Sequence, residues 1–255
     1  MVSITETERY TEVLGSYDVL VAGGGVAGVA AALAAAREGA KVLLVERECI
    51  VGGLATAGLI AVYLPLCDGE GRQVSFGISE ELLRLSILHG ADGEEPSAWL
   101  NGGPPERRRE RRYQVQFNPH FFALDMERLL LREGVSILYG TLICGALTES
   151  ERITHVIAEN KSGRVAYAVR SVVDATGDAD VCKLAGAETV NFQQGNLLAQ
   201  WYYYASKGAV GLRGLGAADI PEEEKKGRQV EMLTSRRFSG LDGEELSQMV
   251  QLGHE

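Results

Sequence analysis

The sequence predicts an α/β fold built on a Rossmann-like parallel sheet. Three observations carry that expectation. Residues 17–22, Tyr-Asp-Val-Leu-Val-Ala, form a short apolar, β-branched run that stops at a glycine cluster, as a buried parallel strand does. The cluster Gly23-Gly24-Gly25-Val26-Ala27-Gly28 fits G-x-G-x-x-G and opens an alanine-rich segment, Val26 to Glu38, that reads as a helix ended by Gly39. A second apolar strand, Lys41 to Val45, follows and is closed by Glu46.

In that unit each residue type has a physical task. Gly23 permits the tight turn, and Gly25 leaves room for a phosphate to approach the backbone with no Cβ in the way. Gly28 lets the helix lie close to the strand, helped by the small Ala27, Ala30, Ala31 and Ala34. Unpaired N–H groups and the positive end of the helix dipole make the Gly23 to Gly28 turn an anion site. Glu46 stands 18 positions after Gly28, close to the spacing of about 20 expected for an acid that binds a ribose hydroxyl. A G-x-G-x-x-G string alone is weak. Strand, turn, helix, strand and acid in this order are much more specific.

Composition excludes several other classes. A 255-residue chain with 45% hydrophobic residues can build a substantial core of one large or two modest domains. Its formal charge of −10 argues against nucleic acid or an anionic membrane as the main partner. Cys49, Cys67, Cys144 and Cys182 are widely separated, with no paired spacing, so they read as reduced and mainly as packing residues, and no metal site is expected. The first 15 residues are polar and acidic, unlike a signal peptide, and no apolar run of about 18 residues occurs. A cytoplasmic protein acting on a small molecule is the expectation.

After the ribose acid comes a second glycine turn, Gly52-Gly53-Leu54-Ala55-Thr56. The motifs Tyr17 to Gly25, Val45-Glu46-Arg47 and Gly52 to Thr56 together resemble the bacterial FAD-dependent oxidoreductases of the glutathione-reductase structural group. That resemblance implies FAD as cofactor, its adenosine on Glu46 with Arg47 as a further cofactor-binding residue, and its pyrophosphate over Gly23, Gly25, Val26, Ala27 and Gly28. It also implies that Gly52, Gly53 and Thr56 lie near the ribityl chain and flavin. Ala175-Thr176-Gly177-Asp178, at the end of a later strand, resembles the second FAD signature of the group, and the backbone around Ile143 would face the adenine. The group also implies an antiparallel three-stranded crossover attached to the parallel sheet.

The remaining elements follow in order. Between Leu59 and Val115 a helix is expected with Ser79 as N-cap, Glu80 and Glu81 in its first turn, Leu82, Leu85 and Leu88 on its inner side and Gly90 beyond its end. Gly102 to Pro105 is a loop, and the arginines 107, 108, 109, 111 and 112 around Glu110 form a cluster that reads mainly as a solvated face, with attraction of an anion as the sharper alternative. Trp99, His89 and Cys67 read as packing or surface residues. Asn118-Pro119 starts a second helix, with Phe122, Met126, Leu129 and Leu130 inward and Gly134 at its end. Strands are then expected over 135–139, 141–147, 153–159 and 164–170, and a further one over 171–174 that returns to the core. Asp178 or Asp180 would cap a short helix running to Leu184.

Beyond Gly186, the run Gln193 to Tyr204 reads as a strand of a substrate-facing domain, Pro221 to Lys226 as a charged linker, and Asp242-Gly243-Glu244-Glu245 as the start of an amphipathic helix. The organisation expected is a discontinuous FAD domain, 14–58 and 116–187, with 59–115 and 188–255 as insertion and partial α+β substrate domain. By the resemblance, the chain covers only part of the family pattern, so copies are expected to associate as homo-oligomers or through incompletely covered core surface. An NAD-dependent Rossmann enzyme and a non-catalytic nucleotide-binding product are the alternatives. No residue qualifies from sequence as a catalytic acid or base.

Overall fold

The computed structural model describes residues 4–5, 8–198, 200–206, 209–215, 234 and 236–254. The chain forms two compact units, Met1–Glu188 and Thr189–Glu255.

The first unit is built on a six-stranded sheet in the order β5-β2-β1-β8-β7-β6. Its strands are β1 (Glu12–Ala22), β2 (Val42–Val45), β5 (Ser136–Leu138), β6 (Leu142–Glu149), β7 (Arg152–Asn160) and β8 (Gly163–Asp174). β5, β2, β1 and β8 run parallel, whereas β6 and β7 are antiparallel to their neighbours. β3 (Val62–Tyr63) and β4 (Val115–Gln116) make a separate antiparallel pair. The sheet separates two layers of core. On one side Val21, Leu44, Val29, Leu33, Phe122, Met126 and Leu130 pack together; on the other Leu20, Leu43, Val45, Val156, Tyr167 and Val181 do. Leu20, Val21 and Ala22 are all fully buried. Both faces of β1 are covered, so its sequence is apolar throughout rather than alternating.

Two strand expectations are corrected. The segments 164–170 and 171–174 are one strand, β8, because no breaker separates Arg170 from Ser171 and β1 pairs with it from Glu12↔Val165 to Ala22↔Asp174. One strand therefore closes the crossover, antiparallel to β7, and re-enters the parallel core. The same pairing draws residues 12–16 into β1, which begins well before Tyr17.

The helices that cover the sheet show their caps plainly. Helix α1 (Val26–Arg37) ends at Gly39, φ +82°. Helix α5 (Pro119–Arg132) has Asn118 as N-cap, its side chain accepting the His120 and Phe121 N–H groups at 3.0 and 3.1 Å, and proline at the first helical position. In helix α2 (Ile78–Ser86) the expectation fails: the cap position is Gly77, φ +66°, and the Ser79 hydroxyl donates to the Phe76 carbonyl. Starting earlier, the helix ends at Ser86, so Leu82 and Leu83 are buried while Leu88 lies past its end and is 63% exposed. Arg37 forks onto Glu81 at 2.7 Å and reaches Glu133 at 3.0 Å, which ties α1 to α2 and to the end of α5.

Short helices α3 (Ser97–Leu100) and α4 (Pro105–Glu110) complete the insertion, and α6 (Asp180–Leu184) follows β8. Trp99 is buried and stacks on Tyr113 with ring centroids 5.2 Å apart. Its indole N–H donates to the Arg111 carbonyl at 2.7 Å.

The second unit contains a short pair, β9 (Asn196–Leu197) with β12 (Arg237–Phe238), a hairpin, β10 (Gln200–Ser206) with β11 (Ala209–Leu215), and helix α7 (Gly243–His254). The Asp242 carboxylate accepts the Glu245 N–H at 2.8 Å, and the Glu245 carboxylate reaches back to the Ser239 N–H at 2.9 Å, so the expected cap is formed. The Pro221–Lys226 linker lies outside the described residues. Among the described residues no helix is long and apolar enough to cross a membrane.

Candidate cofactor site

β1 lies between β2 and β8, so the turns that leave the carboxyl ends of three adjacent parallel strands emerge along one edge of the sheet. The chain goes from β1 to β2 and β5 on one side and only later to β8 on the other. A crevice outside β1 is therefore the switch point at which open parallel sheets bind ligands.

The three turns are bonded to one another. The Gly23 N–H donates to the Val45 carbonyl at 2.8 Å, the Ala175 N–H to Ala22 at 2.8 Å, and the Gly52 N–H to Gly24 at 2.7 Å. Gly25 and Gly52 form an isolated parallel bridge. A Cβ on Gly23 would stand 2.4 Å from the Ala175 carbonyl oxygen, and one on Gly28 would stand 1.9 Å from the Gly23 carbonyl oxygen. These two glycines are required by the protein's own packing.

Gly25 differs. It is the N-cap of α1, with ordinary extended dihedrals of φ −61° and ψ 172°, and a Cβ built there meets no protein atom within 4 Å. No side chain caps α1 and no acid lies in its first turn. The first N–H groups of a 12-residue helix thus face a free space beside Gly25, the arrangement that fits a pyrophosphate.

Glu46 is 8% exposed. One carboxylate oxygen accepts the Gly24 N–H at 2.6 Å and the other the Glu48 N–H at 2.8 Å. A carboxylate offers about four lone-pair positions, so acceptor capacity remains for ribose hydroxyls. Sequence reasoning missed the part of Gly24, whose N–H orients this carboxylate and whose Cβ would press on it at 3.0 Å. Arg47 projects outward, with Glu48 3.6 Å away. The Thr56 side chain is buried and donates to the Val51 carbonyl at 2.6 Å, closing the second glycine turn from inside. Ile143 lies half-buried on β6, and the adjoining Thr141 N–H donates to the Glu46 carbonyl at 3.1 Å.

The third turn is organised by a residue to which the sequence reading gave no role, Asp174. One of its oxygens accepts the Thr176 hydroxyl at 2.7 Å and the Thr176 N–H at 3.2 Å; the other accepts the Cys182 N–H at 2.9 Å. Burial pushes the Asp174 carboxyl up, but the bonds from Thr176 and Cys182 outweigh it and hold the group below the usual carboxylate range. The expected cap of α6 is corrected. Ala179, φ +58°, occupies the cap position, and the Thr176 hydroxyl accepts the Asp180 N–H at 3.1 Å. Asp178 is exposed at the mouth of this turn. A carboxylate directly before Ala-Thr-Gly was the available signal.

The family model of the FAD dependent oxidoreductases matches residues 18–209, which contain all three turns. The chain belongs to that family. FAD is the cofactor of its members, and the cradle at Gly25 with the acid at Glu46 fits the adenosine diphosphate part of that molecule. Among curated relatives, the thioredoxin reductase of Ureaplasma parvum is 32% identical over 71 residues, 28% of this chain and 23% of that protein. Among solved structures, the OxyS anhydrotetracycline hydroxylase of Streptomyces rimosus is similar with a TM-score of 0.50 and 17% identity, over 78% of this chain and 44% of that one. A geranylgeranyl bacteriochlorophyll reductase-like protein of Thermoplasma acidophilum aligns with a TM-score of 0.47 and 18% identity, over 74% of this chain and 47% of that one. The chain spans less than half the length of each of these proteins, and the likeness to the hydroxylase bears on the fold alone.

The four cysteines are free; Cys49 is exposed and the other three are half-buried. Among the described residues no cluster of His, Cys, Asp and Glu could hold a metal.

Proposed function

We propose that this chain carries the FAD-binding part of an oxidoreductase of the glutathione-reductase structural group, acting by flavin-mediated electron or hydride transfer on a small molecule. The observation that carries the proposal is the uncapped amino end of α1, opening into protein-free space beside Gly25 at the edge where the turns after β1, β2 and β8 meet. Segments 14–58 and 116–187 would form the FAD domain, with 59–115 and 188–255 supplying the substrate side.

In this reading the α1 N–H groups hold the pyrophosphate and the helix dipole favours its charge. Glu46, fixed by Gly24, accepts from the ribose hydroxyls, and Ile143 on β6 lies toward the adenine. Gly52 and Gly53 on one side, and Ala175 to Asp178 on the other, let the backbone pass close to the ribityl chain. Bound FAD would supply the redox chemistry, and the protein its position and electrostatic setting. The second glycine turn, hydrogen-bonded to the first, favours a flavin over a nicotinamide cofactor. Exposed Leu54, Leu64, Val74 and Phe76 support association between copies.

Calorimetry of the purified chain with FAD and with ADP, beside its visible spectrum, tests the proposal. The described contacts belong to the adenosine diphosphate half, so FAD and ADP should bind with comparable affinity, each in competition with the other. Failure of both to bind would overturn the reading.

A further inference from the structure

The insertion between β3 and β4 contains a cavity of about 630 Å³, far in sequence from the dinucleotide turns. That volume falls within the range of about 300–1,000 Å³ typical of small-molecule sites. Its walls are α3, α4 and the turn between them. Trp99 is its buried floor, with Tyr113 stacked on the ring, the Arg108 guanidinium 5.1 Å from the ring centre and the indole N–H donated to the Arg111 carbonyl, so that Ala98 and Pro104 supply the accessible apolar lining.

The charges around this cavity are mixed and incompletely matched. Arg111 and Glu94 pair with each other. Arg107, Glu95 and Glu110 also line the cavity, and none of their side chains makes a hydrogen bond or ion pair with another described residue. A purely anionic ligand would meet two unpaired carboxylates there, and a purely cationic one would meet Arg107. A molecule with both signs satisfies all three groups, since arginine takes a carboxylate through two parallel N–H bonds and carboxylates accept from an ammonium.

We propose that this cavity binds a small zwitterion of the α-amino acid type with an uncharged side chain. Arg107 takes its carboxylate, Glu110 and Glu95 take its ammonium, and the side chain lies against Ala98 and Pro104. The inference does not rest on the flavin reading, because none of these residues belongs to the three glycine-rich turns.

The test is calorimetry of the full chain with L-leucine and with the two molecules that each lack one of its charges, 4-methylpentanoate and 3-methylbutylamine. L-leucine should bind at least about tenfold more tightly than either, one power of ten being about 1.4 kcal/mol. Arg107→Gln should remove the advantage over 3-methylbutylamine, and the double change Glu95→Gln with Glu110→Gln should remove the advantage over 4-methylpentanoate. All three side chains are exposed, so the variants should keep the parent's far-ultraviolet circular dichroism and urea midpoint, which separates loss of the site from loss of the fold. L-leucine binding that is absent, no tighter than its analogues, or unchanged by Arg107→Gln would overturn the proposal.

Discussion

Replacing Gly25 by valine should separate the cofactor cradle from the fold. The backbone at Gly25 is extended, φ −61° and ψ 172°, where any L-residue is at ease, and the new Cβ would touch no protein atom. Two small effects on stability oppose each other. Fewer unfolded conformations favour the variant by about 0.4–1 kcal/mol, while loss of a glycine N-cap costs about 0.5–1 kcal/mol. The net change should be close to zero. Binding should change far more. The valine side chain would fill the space beside the α1 N–H groups, and hydrogen bonds to a charged group are worth about 1.5–3 kcal/mol each. Loss of two such bonds is about 3–6 kcal/mol, roughly a hundred- to ten-thousand-fold in affinity. Gly28→Ala is the contrasting variant, because its Cβ would lie 1.9 Å from the Gly23 carbonyl oxygen and the fold itself must yield. Urea unfolding should show an unchanged midpoint for Gly25→Val and a lowered one for Gly28→Ala, and calorimetry should show ADP and FAD binding lost in both. Wild-type affinity in folded Gly25→Val would refute the placement of the pyrophosphate.

Two further outcomes follow from the same site. Glu46→Ala should weaken FAD and ADP by about 1.5–3 kcal/mol. It should also lower the thermal midpoint, since it leaves the Gly24 and Glu48 N–H groups without their acceptor; a titration with unchanged affinity would remove Glu46 from the ribose. Asp174 has a folded-state pKa below its ordinary value, so it contributes stability present above the unfolded-state value of about 3.9 and lost as pH falls through the folded one. Asp174→Asn should accordingly show a smaller loss of urea midpoint than the parent between neutral pH and pH 3, and equal losses in the two proteins would count against the role given to this turn.

Much of the local geometry at the candidate site could be read from the chain because its signals are local. The G-x-G-x-x-G turn with its helix and acid, the Asn118-Pro119 start of α5 and the Asp242 cap of α7 each depend on a few neighbouring residues whose backbone preferences act at short range. The same holds for Gly39 and Gly134, where positive φ ends a helix. What joins distant segments could not be read in that way. The merging of 163–174 into one strand follows from a partner, β1, that lies some 150 residues earlier. The start of α2 at Ile78, and with it the burial of Leu83 in place of Leu88, was set by packing against α5 and by Arg37 reaching Glu81. For Asp174 the sequence offers only its place directly before Ala-Thr-Gly; its part in the turn becomes visible when the carboxylate at the end of β8 accepts from Thr176 and Cys182. The sequence by itself therefore determined the class of the fold and the glycine-rich turn after β1, whose geometry is written in adjacent residues. The tertiary structure decided how the three turns meet and which side chains hold them, because strand order and burial are properties of the whole sheet.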